Sequence, residues 1–224
     1  MNYENKDFSY YSNVRKDLVN LITKSNGLIV LEIGAAYGET LFYLKKNSIA
    51  IEAVGIDLFE DPDKSRYKKI DRFVFGNIEE LDFKEYENYF DLILLPDVLE
   101  HILEPKKTLE KIKHFLKKDG EIIVSMPNIR HYSAFVKIFF KGDFKYEESG
   151  IFDYTHVRFY CKKNIQELLQ SADYKVVHCE GSIKNYKGKS MAKTINQITF
   201  GIFEAFLSTQ YFFKIKKRLI TQKF

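Results

Sequence analysis

The 224-residue sequence lacks most of the features that mark a specialised class of protein. It has only two cysteines, Cys161 and Cys179, without the spacing of a metal site, which favours a reduced, cytoplasmic protein. The polar start, MNYENKD, gives no sign of a signal peptide, and no apolar run approaches the roughly 18 residues needed to cross a bilayer. Internal repeats are also missing. We therefore expect a single domain over residues 1–224.

The glycine patterns of phosphate-binding proteins are absent as well. Neither G-x-G-x-x-G nor G-x-x-x-x-G-K-[ST] occurs where a predicted strand runs into a helix. The formal net charge of +4 is spread along the chain until a lysine-rich segment near its end. This charge is too mild to indicate nucleic acid, so we expect no nucleic-acid partner.

What is present is an alternation of buried strands and amphipathic helices. Helices are predicted at 12–24, from 39 onward, and at 105–120, 162–172 and 190–207. Apolar runs of strand length precede or follow them, at 28–31, 51–57, 72–75, 89–95, 121–126, 174–179 and 210–217. This alternation predicts an α/β fold with a doubly wound parallel sheet.

Residues 28–38 are the stretch around which this prediction is organised. The apolar strand runs into a turn of small residues bounded by Gly34 and Gly38, and a helix follows. Such a turn leaves backbone N–H groups facing any ligand above the edge of the sheet. Glu32, just before the turn, would repel a pyrophosphate and attract a cation. The stretch therefore predicts a nucleoside site without phosphate.

Polar side chains fall at the ends of successive predicted strands: Glu32, Asp57, Asn77, Asp97 and Asn128. Ligands of parallel sheets bind at the carboxyl ends of the strands, so these residues are expected along one rim. Asp57 lies about 20 residues beyond the turn, the offset at which an acidic side chain binds ribose hydroxyls.

Residues 30–38, VLEIGAAYG, resemble motif I of the class I S-adenosylmethionine-dependent methyltransferases, with Ala36 in place of the motif's middle glycine. Residues 91–101, DLILLPDVLEH, are similar to the segment that closes the cofactor site in the ubiquinone-type branch of that family. Residues 125–131 and 150–159 resemble a narrower group, often encoded beside glycosyltransferases in bacterial surface-polysaccharide clusters. In that group a helix-capping threonine is usual where this chain has Cys161.

The resemblance implies a seven-stranded Rossmann-like sheet with six parallel strands and an antiparallel last strand. It implies S-adenosyl-L-methionine as cofactor, with S-adenosyl-L-homocysteine as product. Asn77 would meet the adenine amino group and Ile78 the adenine ring. The implied cofactor-binding residues are Glu32, Gly34, Ala35, Gly38, Asp57, Leu58, Asn77, Ile78, Pro96 and Asp97.

Residues 129–160 interrupt the alternation and are predicted to be an acceptor-binding or lid insertion after the fifth strand. With the resemblance, we expect an O-methyltransferase acting on a sugar hydroxyl of a nucleotide-sugar or surface glycan. In-line transfer to a hydroxyl is helped by a general base, and His101, His156 and His131 are the candidates. Acceptor contacts are expected from Asn128, Tyr154 and Arg158.

Several alternatives stay open. A quinone-like small molecule is possible as acceptor, in a mainly apolar pocket without His156 and Arg158 at its mouth. Another alternative is that the protein is a non-catalytic cofactor-binding subunit, which the loss of the motif's middle glycine at Ala36 would indicate. Glu100 with the three histidines could bind a divalent ion, but we expect none, because adjacent Glu100 and His101 do not share a helix face.

The region from Thr199 onward is aromatic and basic and could lie on a membrane. A buried helix followed by an edge strand explains the same pattern, and we favour that interpretation.

Overall fold

The structure, a computed structural model, describes residues 13–24, 26–185 and 190–218. Its seven-stranded sheet has the order β3-β2-β1-β4-β5-β7-β6. The strands are β1 (Leu28–Ile33), β2 (Ala50–Asp57), β3 (Arg72–Phe75), β4 (Phe90–Pro96), β5 (Leu116–Pro127), β6 (Tyr174–Gly181) and β7 (Gln210–Lys217). β7 is antiparallel to both neighbours, while the other described pairs are parallel. The predicted fold class is confirmed.

Helices cover both faces of the sheet. They are α1 (Lys16–Val19), α2 (Glu39–Lys46), α3 (Pro105–Phe115), α4 (Tyr132–Phe135), α5 (Lys162–Ser171), α6 (Ser182–Asn185), α7 (Met191–Ile198) and α8 (Glu204–Leu207). α1 and α2 bury Leu18, Leu41 and Leu44 against one face, and α3 and α5 bury residues such as Leu109 and Leu169 against the other. Because both faces are covered, the central strands β1 and β4 are apolar on both sides.

The helix predicted over 105–120 is shorter than expected. It ends at Phe115, where Leu116 takes an extended conformation and pairs with Phe90 at the start of β4. Gly120 therefore lies inside β5 and not at a helix end. A Cβ at Gly120 would lie 2.7 Å from the Leu116 side chain, so glycine is kept there by packing.

The predicted first helix, 12–24, is also wrong in length. Only α1, a single turn, forms among the described residues of that range. The preceding residue, Arg15, donates its backbone N–H to the Thr40 hydroxyl at 3.1 Å, and its side chain reaches the edge of the sheet. This tertiary contact competes with a longer helix. Ser12 lies outside the described residues.

The segment predicted as one buried helix over 190–207 is in fact two short helices with a break between them. Phe200 and Gly201 have φ angles of +52° and +80°, which end α7 before α8 begins. Phe200 is 95% exposed and Ile202 is 79% exposed, so the favoured interpretation of a buried helix is wrong. β7 lies between β5 and β6 and is not an edge strand. Every helix of the described ranges falls short of the length and apolarity that a membrane crossing requires.

Residues 129–160 form an irregular excursion, as predicted. α4 continues into one π-helical turn, Val136–Phe140, and the rest is mostly loop with one isolated bridge between Glu147 and Asp153. The excursion returns to the sheet where Ile129 N–H donates to the Tyr160 carbonyl at 3.0 Å. It therefore stands above the carboxyl end of β5.

Candidate active site

A cavity of about 800 Å³ opens at the carboxyl ends of β1, β2 and β4. Its size is within the range of about 300–1,000 Å³ that is usual for small-molecule sites. Nine of the ten predicted cofactor residues line it together with His101; they are Glu32, Gly34, Ala35, Asp57, Leu58, Asn77, Ile78, Pro96 and Asp97. Gly38 is outside the lining and faces Ile70 and Phe73 behind the turn.

The turn after β1 gives the cavity its backbone floor. Gly34 has a φ of +76°, and a Cβ built on it would lie 2.7 Å from Val98 Cγ2. Ala36 also has a positive φ, +49°, although it has a side chain. The alanine therefore adopts the left-handed conformation that the motif's middle glycine would favour. Its substitution leaves the shape of the turn intact.

Asp57 fixes this turn to the end of β2. Its carboxylate accepts the Ala36 N–H at 2.7 Å and the Phe59 N–H at 2.9 Å. Burial raises the pKa of Asp57 above its usual value, although the two backbone donors oppose that shift. Each carboxylate oxygen can accept more than one hydrogen bond, so the group can hold the turn and still meet a ligand hydroxyl.

The acid at the end of β4 is paired with a cation that the sequence did not single out. Arg15 Nη1 donates to Asp97 at 2.8 Å, and Nη2 donates to Ser125 Oγ at 3.0 Å. Ser125 donates in turn to the other Asp97 oxygen at 2.7 Å. Asp97 therefore serves this network and does not form a capping box with Glu100, because the next helix begins only at Pro105. No local pattern around Arg15 reveals this role.

Glu32 is a buried acid at the end of β1 that lines the cavity. It is only 2% exposed, and its Oε2 has no hydrogen-bond partner. Burial raises the pKa of Glu32 to about 8, even though the Arg15 charge and the Thr40 hydroxyl lower it. A buried carboxylate with too few hydrogen-bond donors or cations around it favours a cationic ligand. The positive charge of the ligand offsets the free-energy cost of removing the carboxylate from water.

Asn77 and Ile78 form the wall beyond β3. Asn77 Oδ1 accepts the Glu79 N–H at 3.0 Å, which orients the amide at the start of the next turn. Ile78 is 4% exposed and still borders the cavity. Their adenine contacts stay a prediction, and their position beside Asp57 agrees with it.

Two of the three predicted base candidates meet in one cluster. The His101 and His156 rings are 4.7 Å apart, and buried Glu100 lies 3.9 Å from His156 Nε2. The Nδ1 atoms of His101 and His156 each lie 3.0 Å from a backbone carbonyl, of Thr155 and Ile151 respectively. A carbonyl only accepts, so Nδ1 carries the hydrogen and Nε2 of each neutral ring carries the lone pair.

Glu100 enters this cluster with unused acceptor capacity. It is 1% exposed, and neither carboxylate oxygen accepts a hydrogen bond from another residue. Burial raises its pKa well above the usual range, and the nearby Asp97 charge adds to the effect. One atom each of Glu100, His101 and His156 lie within 4.8 Å of one another, a spacing suited to one metal ion. Residues 99–101 form a turn and not a helix. The argument that adjacent Glu100 and His101 cannot bind one ion because they do not share a helix face therefore does not apply.

The other predicted site residues lie outside the cavity lining. His131 caps α4 by accepting the Ser133 N–H, and burial lowers its pKa. Asn128 is fully buried and donates to the Ala205 and Ser208 carbonyls at 2.7 and 2.8 Å. Because these bonds use its amide, we assign Asn128 a structural role in place of the predicted acceptor contact.

Arg158 and Tyr154 lie on the insertion near the opening. Arg158 donates to the carbonyl of Leu103, a residue that lines the cavity, at 2.6 Å. The backbone N–H groups of Val157 and Arg158 both donate to the Glu100 carbonyl, at 3.0 and 3.2 Å. Tyr154 is 41% exposed. The insertion is thus attached directly to the turn that carries His101.

The family model for the methyltransferase domain matches residues 6–179, which include the sheet edge, the cavity and the insertion. The chain belongs to this methyltransferase family. It is an S-adenosylmethionine-dependent methyltransferase. The site fits that cofactor, which has no phosphate, because its rim is acidic and a carboxylate lies beside the glycine turn.

The chain is similar in sequence to an archaeal protein and in fold to solved methyltransferases. The chain is 28% identical over 181 residues to an uncharacterized protein of Methanocaldococcus jannaschii, covering 81% of this chain and 79% of that protein. It superposes on a SAM-dependent methyltransferase from Archaeoglobus fulgidus with a TM-score of 0.63 and 18% identity, over 94% and 100% of the two chains. A Burkholderia thailandensis 1,6-didemethyltoxoflavin-N1-methyltransferase, solved with S-adenosylhomocysteine, gives a TM-score of 0.59 at 18% identity, over 91% and 77%.

Gly34→Ala is expected to weaken S-adenosylhomocysteine binding at least tenfold. The added Cβ meets Val98 Cγ2 at 2.7 Å, so the Val98 side chain must move against the cavity wall. Gly27→Ala is the matched control, because Gly27 has a similar φ of +71° and nothing within 4 Å of a Cβ. Calorimetric titration of both variants separates backbone strain from the clash. Equal losses in the two would contradict the assignment, and Val98→Ala should restore binding to Gly34→Ala.

The affinity for S-adenosylhomocysteine is expected to rise with pH, by up to about tenfold per unit, until the pH reaches the Glu32 pKa of about 8. Below that pH the carboxyl is protonated, and binding the ligand's ammonium requires its proton to leave. Glu32→Gln should bind more weakly and lose this slope. Glu60→Gln, at the edge of the same cavity, should keep it. An unchanged slope in Glu32→Gln would show that another group is responsible.

Proposed function

We propose that this protein is a cytoplasmic O-methyltransferase whose acceptor is a sugar hydroxyl, nucleotide-linked or within a surface glycan. The observation that carries the proposal is the position of His101, which lines the cofactor cavity and has its tautomer set by the Thr155 carbonyl. When the ring is neutral, Nε2 is the nitrogen that would receive a hydroxyl proton. A histidine in this position suits an acceptor whose hydroxyl group loses a proton during the reaction.

The ends of the cofactor would be held by different residues. Asp57 is placed to accept hydrogen bonds from the ribose hydroxyls, and Ile78 offers an apolar surface for the adenine. At the other end, Glu32 suits the ammonium group and Arg15 the carboxylate of the methionyl part. S-adenosylmethionine supplies an electrophilic methyl group on a sulfonium, and the chain's part is to align the acceptor and remove its proton.

The rim of the cavity supports a polar acceptor over a quinone-like one. Arg158 is held beside the opening through Leu103, where its guanidinium can bind a phosphate or carboxylate of the acceptor. Acidic and amide side chains, including Asn13, Glu79 and Asn77, also line the cavity. A quinone-like acceptor calls for a mainly apolar pocket without such groups. The intact turn at Ala36 supports an active enzyme over a non-catalytic subunit.

Methyl transfer from labelled S-adenosylmethionine is expected with nucleotide-sugars or glycan fragments and not with quinols. His101→Gln should lower kcat about 10²–10⁴-fold, the usual contribution of a general base, with little change in S-adenosylhomocysteine affinity. His114→Gln, at an exposed position on α3, is the control and should keep full activity. Transfer only to quinols, or full activity of His101→Gln, would refute the proposal.

A second candidate mechanism is favoured by one specific observation, the convergence of Glu100, His101 and His156. A divalent ion bound there would act on the acceptor hydroxyl as a Lewis acid and take over the task assigned to His101. The unpartnered Glu100 oxygens are the feature that supports it. A neutral Glu100 packed against two histidines explains the same geometry without a metal.

Manganese binding separates the two mechanisms. If a metal is used, electron paramagnetic resonance should show Mn²⁺ bound to the purified protein, with binding lost in Glu100→Gln and His156→Gln and kept in His131→Gln. Activity should then fall after chelation and return with added Mn²⁺ or Mg²⁺. No bound Mn²⁺ and full activity in chelator would leave His101 as the base.

A further inference from the structure

An unusually apolar surface lies on the segments 132–140 and 191–206, and we call it the apolar face. Phe206 joins the two segments, since its ring centroid lies 6.2 Å from that of Tyr132 and 5.8 Å from that of Phe135. The large apolar side chains exposed on these segments are Tyr132, Phe135, Val136, Phe139, Phe140, Met191, Ile195, Ile198, Phe200, Ile202, Phe203 and Phe206. Contiguous apolar surfaces of this extent mark binding to a partner or a membrane.

The most exposed side chains cluster at a projecting break in the chain. Phe200 and Gly201, with positive φ angles, separate α7 from α8 and place Phe200 and Ile202 at 95% and 79% exposure. On the other segment, Phe139 and Phe140 are 72% and 76% exposed at the end of the π-helical turn. Side chains of this kind at a tip are suited to insertion into an apolar layer.

The charged side chains within two ranges that carry most of the face are all basic. The ranges 129–142 and 190–203 contain no Asp or Glu, although the chain has 31 acidic residues in 224. The same ranges carry Arg130, Lys137, Lys141 and Lys193. Lys137 is paired with Glu147 at 2.5 Å, so the exposed Arg130 and Lys141 carry the positive character. Apolar side chains combined with Lys and Arg favour the surface of a membrane containing anionic lipids.

A second copy of the chain suits this face less well. In a two-fold symmetric dimer the same surface faces itself, so the basic residues of one copy would approach those of the other. The ranges 129–142 and 190–203 contain no acidic side chain to compensate them, and Glu204 is buried and paired with Lys162 and Lys184. An anionic lipid surface removes this repulsion and also covers the apolar side chains.

We propose that the apolar face binds the surface of an anionic membrane, with Phe200 and Ile202 inserted among the lipid headgroups. The face lies at the same edge of the sheet as the cofactor cavity, because Pro127 at the carboxyl end of β5 pairs with Gln210 at the start of β7. Membrane binding thus brings the cavity edge to the lipid surface. If the acceptor is a glycan, as in the proposed function, this position suits a lipid-linked one; the binding itself does not depend on the acceptor.

Vesicle sedimentation tests the proposal without cofactor or acceptor, so its result is independent of the methyltransferase assay. The purified protein should sediment with vesicles of phosphatidylcholine and phosphatidylglycerol, at least tenfold more strongly than with phosphatidylcholine alone. The double variant Phe200→Ser/Ile202→Ser should bind the mixed vesicles at least tenfold more weakly. Lys141→Glu should weaken binding and reduce its sensitivity to salt.

The control is the pair Ile51→Ser/Val177→Ser, which removes exposed apolar side chains on β2 and β6 away from the face. It should bind vesicles like the parent protein. S-adenosylhomocysteine titration of each variant verifies that the fold is retained. No binding by the parent protein, or equal binding by the Phe200→Ser/Ile202→Ser variant, would overturn the proposal. A dimer in light scattering that this variant abolishes would instead assign the face to a second copy.

Discussion

The site depends on negative charge that is buried at one edge of a parallel sheet. Glu32, Asp57 and Asp97 follow three strands whose ends lie side by side, and Arg15 is the cation that directly pairs with one of them. Removing carboxylates from water costs free energy unless donors or cations compensate them. Here the compensation is incomplete, as the raised pKa of Glu32 shows. In the proposed function, the ammonium group of the cofactor would compensate Glu32, and its ribose hydroxyls would add hydrogen bonds to Asp57.

The backbone around the cavity adopts conformations that are uncommon for residues with side chains. Gly34, Ala36 and Asp97 all have positive φ angles, and the last two have side chains. Such conformations persist only where surrounding contacts hold them, and they concentrate at functional sites. The Ala36 N–H donates to the Asp57 carboxylate, and the Asp97 N–H donates to the Ser125 hydroxyl oxygen; these bonds hold the two residues. The tight approach of Val98 to Gly34 then sets the distance between the floor of the cavity and the turn that carries His101.

The insertion after β5 connects this site with the rest of the surface. Through Thr155 and Ile151 its backbone orients both histidines, and through Val157 and Arg158 it is bonded to the Glu100 carbonyl. The segment 132–140, which begins with α4, contributes five of the twelve exposed apolar side chains of the apolar face. The insertion therefore joins the turn that carries His101 to the surface through which we propose that the protein meets a membrane. A change in the position of α4 on binding would be felt by the histidine cluster through this segment.

The antiparallel last strand followed only from the resemblance to the methyltransferase family. The sequence by itself determined the alternation of strands and helices and the polar residues along the rim. These follow from local signals, since strand ends, the glycine turn and the spacing to Asp57 are all readable within short windows. It misjudged the helices at 12–24, 105–120 and 190–207, because Thr40, Phe90 and the Phe200–Gly201 break act against local helical periodicity. Only the tertiary structure decided that Arg15 and Ser125 complete the rim, that Asn128 and His131 are structural, and that His156 joins Glu100 and His101. Those contacts join residues up to 110 positions apart, and neither periodicity nor spacing carries information over such distances.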